Sequence, residues 1–147
     1  MLIENKLYEK IKKIMPIPCV DLVVVNNKNE VLMLKRANDP KNGEWWFPGG
    51  RVHFGETREE AVYRKLKQEC GLTTDRAIEI GTNDLILRNS DDSLSHAITT
   101  VFKVEIKENE VLLDSQSIEY KWDKSNNWIH KISNQFLLSY LMSIANG

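Results

Sequence analysis

Two cysteines, four prolines and seven glycines are scattered over 147 residues, and each scarcity excludes something. Cys19 and Cys70 are too few for the disulfide framework that staples small secreted domains. The prolines and glycines nowhere gather into a linker, and no repeat or low-complexity stretch divides the chain. No apolar run approaches the ~18–20 residues that a membrane span requires, and nothing at the N-terminus reads as a signal peptide. An excess of charge is lacking too: 20 Lys and Arg face 21 Asp and Glu, a formal net charge of -1. That balance argues against a polyanion binder, so neither a nucleic-acid nor a membrane partner is expected. A small phosphorylated ligand stays compatible, because it needs only two or three well-placed cations. The expectation is one cytoplasmic domain over residues 1–147, long enough to bury roughly two-thirds of its unfolded surface without staples.

The patterning that is present mixes two periods. Ile3, Leu7, Ile11 and Ile14 recur at spacings of three and four, which predicts an amphipathic helix over 3–14 that Pro16 and Pro18 end. Residues 19–25 read as a buried strand with one anomaly, Asp21, either a functional carboxylate or a strand-edge residue facing water. A turn at Asn26–Asn29 leads to a return strand over 31–36. Trp45 and Trp46 read as residues that anchor a loop in the core rather than as a platform for stacking a base. Val62, Leu66 and Cys70 recur every four residues in a helix over 57–70, and Gly71 supplies its stop. Strands are expected at 76–88, 95–106 and 118–122, and a last helix at about 133–145. Strands outnumber helices and are joined partly by hairpins, so the fold class is α+β, a mixed β-sheet packed against helices rather than a doubly wound parallel sheet.

One stretch carries chemistry: Gly50-x5-Glu56-x7-Arg64-Lys65-Leu66-Lys67-Gln68-Glu69-Cys70-Gly71-Leu72. At 100° per residue, Lys65, Gln68 and Glu69 share a helix face beside the apolar stripe. The apolar stripe can pack on a sheet while the charged face looks into a cleft beside the glycine loop. Backbone groups bared by adjacent glycines, with a carboxylate opposite, suit a magnesium-bound pyrophosphate. This spacing resembles the Nudix box, G-x5-E-x7-R-E-U-x-E-E-x-G-U with U aliphatic, over residues 50–72. Gly50, Glu56, Arg64, Leu66, Glu69, Gly71 and Leu72 match, whereas Lys65 and Gln68 stand where the family has glutamates. Glu56 and Arg64 read as an ion pair bracing the loop against the helix. Lys65 reads either as a cation replacing a second metal or as a helix residue that lays its stem on apolar surface.

The approach to the box, Lys35-Arg36-x-Asn38-x-Pro40-x-x-Gly43-x-Trp45-x-x-Pro48-Gly49-Gly50-Arg51-Val52, is similar to that of the GDP-mannose mannosyl hydrolase branch of this family. The branch resemblance implies a Nudix-like mixed sheet sandwiched between helices and a magnesium-dependent hydrolase of nucleoside-diphosphate sugars. GDP-mannose or GDP-glucose would be split at the anomeric carbon to GDP and sugar. It implies metal ligation by Gly49, Glu69 and Gln116, diphosphate contacts from Arg36 and Arg51, and Asp21 on the sugar side. A homodimer is compatible with it. Two positions depart from the branch: Ser117 stands where it has a histidine base, and Ala97 where it has a tyrosine after the residue matching His96. Asp114, Glu119 and His96 are the other candidates for a base; His53 and His130 have no assigned role. A pyrophosphohydrolase attacking phosphorus is the alternative enzyme, and a nucleotide-binding domain without turnover is the alternative of another class.

Overall fold

Residues 2–107 and 110–146 are described by a computed structural model of the chain. The first helix, α1, runs Asn5–Ile14, and Met15 turns extended ahead of Pro16. None of its residues is buried, so its apolar stripe adds little to the core. Strand β1 (Ile17–Val25) begins two residues before the expected start and lies almost wholly inside. At its end the Asn26 carboxamide accepts from the Lys28 and Glu30 amides at 3.0 and 2.9 Å, folding the turn into β2 (Glu30–Arg36). Two short strands follow, β3 (Trp45–Trp46) and β4 (Gly49–Arg51).

Helix α2 (Arg58–Cys70) is closed at both ends by its own sequence. Thr57 accepts from the Glu60 amide while the Glu60 side chain returns to the Thr57 amide, and Gly71 ends the helix left-handed at φ 68°. The long strands β5 (Ala77–Arg88) and β6 (Leu94–Glu105) form a hairpin, and β7 (Ser117–Lys124) returns to pair with β2. Helix α3 (Ser125–Lys131) was not expected from periodicity, because its seven residues are too short for an apolar stripe to declare itself. Its one buried large residue, Trp128, donates from Nε1 to the Val31 carbonyl at 2.9 Å. The Ser125 hydroxyl donates to the Leu141 carbonyl and ties α3 to α4 (Gln135–Asn146).

The seven strands form one sheet ordered β3-β2-β1-β6-β5, with β4 paired to β1 and β7 to β2. β1 and β6 run parallel from Ile17↔Ala97 to Val25↔Glu105, and every other pairing is antiparallel. Alternation along β1 divides its side chains between two cores. Val20, Leu22 and Val24 meet Ala61, Val62, Leu66 and Cys70 of α2 on one face. Val23 and Val25 meet Trp128, Leu137 and Leu141 of α3 and α4 on the other. The result is a mixed sheet between helices, the α+β arrangement expected from the sequence.

The sheet forks where it matters. β1 touches β2 only near Val25↔Val31, and over its first half β4 takes the place of β2 with Cys19↔Arg51, Val20↔Gly50 and Asp21↔Gly49 in register. The fork brings Gly49 and Gly50 to the mouth of a cleft, facing the C-terminal part of α2.

Candidate active site

Close approach to backbone explains Gly49, and Gly50 leaves room for a lysine stem. A Cβ on Gly49 would run into the Val20 carbonyl and come within 2.9 Å of Asp21 Oδ1, and one on Gly50 would lie 2.6 Å from Lys65 Cε. The loop after β4 is clamped to α2 by Arg64. Its guanidinium donates to Glu56 Oε2 at 2.6 Å and Oε1 at 2.9 Å, to the Arg51 carbonyl at 2.8 Å, and to Gln68 Oε1 at 3.1 Å. The His53 amide adds a bond to Glu56 Oε1 at 3.0 Å. Hydrogen bonding from Arg64 holds the Glu56 carboxyl down to about 2.

A cavity of about 950 Å³ opens at the fork, with Asp21, Arg36, Arg51, Lys65, Glu69 and Gln116 all in its lining. Asp21 is buried in a central strand, which corrects the reading of a strand-edge residue facing water: β6 covers one side of β1 and β4 the other. Thr99 Oγ1 donates to Asp21 Oδ2 at 2.6 Å and the Trp46 side chain adds a second bond. Burial nevertheless raises the Asp21 carboxyl to about 6. Trp46 is buried and Trp45 packs on Trp128 with ring centroids 5.4 Å apart, so both anchor the loop before β4.

The cations have distinct local duties. Arg36 is half-buried and donates from Nε to the Pro40 carbonyl at 2.6 Å, which fixes the 37–44 loop against the end of β2. Arg51 lays its guanidinium over the Tyr8 ring at 4.6 Å, so α1 supplies one wall of the cavity. Glu69 is buried; Oε2 accepts from the Gly49 amide at 3.3 Å and Oε1 is 3.1 Å from Lys65 Nζ. Burial raises the Glu69 carboxyl while the Lys65 charge opposes that rise. Gln116 is exposed at the rim, with Oε1 accepting from Asn38 Nδ2 at 3.0 Å.

The candidates for a base separate. Asp114, His96 and Ser117 line the cavity. Glu119 does not; it pairs with Lys35 at 3.3 Å on the exposed side of β7. His53 lies in the lining and His130 lies outside it on α3. Cys19 is also in the wall, but burial pushes its thiol up to about 12, which leaves too little thiolate for a nucleophile.

The lining offers oxygen donors of the kind that magnesium takes. Glu69 offers one carboxylate, Gln116 an amide oxygen and Gly49 a carbonyl among the residues that line the cavity, and magnesium commonly takes one or two carboxylates with waters and substrate phosphates completing its shell. That set fits a single ion. It does not fit several, since Lys65 and Gln68 occupy the places on α2 where further carboxylates would stand. Among the described residues no three His, Cys, Asp or Glu side chains come close enough to hold an ion by themselves.

Two contributors escaped the sequence. Thr99 reaches Asp21 only because β1 and β6 pair in parallel across a separation of 78 residues, and no local pattern announces that pairing. Tyr8 sits on the amphipathic helix at a position that periodicity leaves neutral, and its partner Arg51 lies in a separate element. No helix among the described residues is long and apolar enough to cross a membrane.

Comparison with known proteins converges on one family. The NUDIX domain model matches residues 15–129. The low-salt glycan biosynthesis protein Agl8 of Haloferax volcanii is 33% identical over 118 residues, 78% of this chain and 74% of that one. The ADP-ribose pyrophosphatase of Methanocaldococcus jannaschii is 33% identical over 104 residues, covering 71% of this chain and 60% of its own. Among solved structures, the MutT protein from Methanosarcina mazei Go1 superposes with a TM-score of 0.75 at 25% identity, over 89% of this chain and 94% of that one.

Proposed function

Because this chain belongs to the NUDIX domain family, as a Nudix hydrolase, we propose that residues 1–147 form one magnesium-dependent unit that hydrolyses a nucleoside-diphosphate sugar, GDP-mannose or GDP-glucose, to GDP and free sugar. The observation that carries the reading is the 950 Å³ cavity, in which the Arg36 and Arg51 guanidinium groups, the box carboxylate of Glu69 and the buried Asp21 share one lining. Small-molecule sites span roughly 300–1,000 Å³, so the cavity has room for a base, a diphosphate and a hexose. The glycan-biosynthesis relative and the relative named for ADP-ribose, a nucleoside diphosphate joined to a sugar, support that substrate class.

In this reading Arg36 and Arg51 hold the diphosphate, since planar guanidinium forks match phosphate oxygens. Arg36 is already pinned through Pro40 and Arg51 through Tyr8, so little side-chain freedom is lost on binding. Glu69, the Gly49 carbonyl and Gln116 would hold the magnesium ion, which supplies charge stabilisation for the departing diphosphate oxygen. Asp21, fixed by Thr99 and Trp46, accepts hydrogen bonds from sugar hydroxyls. Inversion at the anomeric carbon needs a base for the attacking water. Ser117 is too weak a base, and Glu119 is outside the cavity. Asp114 takes that role, because it lines the cavity and its charge acts on Glu69 at the metal position.

A second reading has its own support. Ser117 in place of a histidine base, together with the pyrophosphatase relative, favours attack on phosphorus, giving sugar phosphate and GMP. Turnover of a nucleotide-sugar panel in ¹⁸O-water separates the readings. Label in the free sugar supports the anomeric reaction, and label in phosphate overturns it. Tight binding with no product after long incubation with magnesium would make the chain a binding domain. Glu69→Gln should abolish most magnesium-dependent turnover with the fold intact by circular dichroism. Near-normal activity and magnesium affinity in that variant would place the metal elsewhere.

A further inference from the structure

Lys65 is a charge in the cavity, beside the metal position, that none of these roles uses. It stands one turn before Glu69 on α2, and its ammonium lies 3.1 Å from Glu69 Oε1 with the two side chains only 14% and 9% exposed. Its stem runs across the α-carbon of Gly50, where a Cβ would meet Cε at 2.6 Å, Nζ at 3.0 Å and Cδ at 3.1 Å. A surface lysine with its stem on apolar ground would carry its head out to water. Here the head turns inward, along a glycine trough, to a buried carboxylate that lines the cavity. Burying an ammonium is costly unless it is paired, and the pair it makes is with the one carboxylate available for metal on this helix.

We propose that Lys65 is a built-in cation of the diphosphate site: its ammonium bridges Glu69 to a phosphate oxygen of a bound nucleoside diphosphate and stands in for a second divalent ion. This role for Lys65 rests on the cavity being a diphosphate site. An ammonium has three donors and no acceptor; Glu69 takes one, and the open cavity beside it is where a phosphate oxygen can take another. A second divalent ion would need further carboxylates, and Lys65 and Gln68 offer none. A lysine supplies its positive charge without that surplus of anionic ligands. Pairing also neutralises Glu69 before substrate arrives, so that carboxylate does not present a bare negative charge to an anionic ligand. Part of the affinity for diphosphate is then independent of metal.

Two binding measurements on the full chain test this without using turnover. In chelator, calorimetric titration with GDP should show binding to the wild-type protein, weakened on the order of tenfold in Lys65→Met by loss of one charge-assisted bond. Without nucleotide, titration with Mn²⁺ should show one ion in the wild-type protein. Lys65→Glu should bind Mn²⁺ more tightly and admit a second ion. Circular dichroism and a thermal melt establish that both variants are folded, and either variant alone suffices to decide the role. Equal GDP affinity of wild type and Lys65→Met in chelator overturns the proposal, as does unchanged Mn²⁺ binding in Lys65→Glu. Absence of GDP binding by the wild-type protein with and without magnesium overturns the diphosphate reading of the cavity itself. Binding that strictly requires magnesium keeps that reading and overturns the role of Lys65.

Discussion

Two carboxylates in this structure titrate in opposite directions, and each yields a pH test. Asp21 is raised from 3.8 to about 6 by burial. In metal-free protein the folded state therefore retains a proton between those values that the unfolded chain has released. Unfolding then releases a proton, so stability falls as pH rises from about 4 to 6. Asp21→Asn should be more stable than wild type at pH 7, by an order of about 3 kcal/mol for a two-unit shift, and the gap should close by pH 4. Urea unfolding at several pH values checks it; a gap that is constant with pH would contradict the buried charge. Glu56 behaves in reverse, since Arg64 holds it at about 2 against an ordinary 4.5. Its stabilisation is present above pH 4.5 and is lost as pH falls toward 2. Glu56→Gln should destabilise at pH 7, and the difference from wild type should shrink through that acid window.

At the scale of elements, α1 and α2 play unlike parts. α2 is written in local code: a capping box at Thr57 and Glu60, an apolar stripe through Leu66, and a left-handed stop at Gly71, where an added Cβ would also sit 3.0 Å from Leu112 Cβ. Each of these can be read without knowing the fold. α1 is equally legible as an amphipathic helix, yet no residue in it is buried, and Tyr8 serves the cavity rather than the core. Removal of residues 1–14 should therefore leave the sheet and α2 folded, with a thermal midpoint close to that of the intact chain. The same truncation should weaken GDP binding on the order of tenfold, through loss of one cavity wall and of the ring that holds Arg51. Unfolding of the truncated chain would show that α1 supports the core after all. α3 illustrates the opposite limit, since a seven-residue helix whose main anchor is one tryptophan becomes visible only when Val31 is in place to receive it.

The whole molecule couples ligand to fold because the cavity is walled by α1, β1, β2, β4, α2 and β6 at once. A ligand held there binds the folded state alone, so at a hundredfold excess over its dissociation constant it should add about 2.7 kcal/mol to stability. For a chain of this length that raises the melting midpoint by roughly 5–10 °C. GDP with magnesium should produce such a rise in the wild-type protein and a smaller one in Glu69→Gln. An unchanged midpoint at saturating GDP would argue that the ligand does not occupy the fork.

The sequence by itself determined the family, the five longer strands and longer helices, and the box from Gly50 to Leu72, because glycine stops and apolar periods act over a few residues. It also placed Glu69 on a helix beside a glycine loop, since helical spacing fixes which positions share a face. Only the tertiary structure decided what surrounds each charge. That Asp21 is buried follows from β4 and β6 closing on both sides of β1, and that Thr99 satisfies it follows from a parallel pairing formed over long sequence separation. That Lys65 turns inward depends on Gly50 lying beneath its stem, fifteen positions away in another element. Local chemistry writes the elements, but burial and pairing of charge arise where distant segments meet, and no short window of sequence contains both partners.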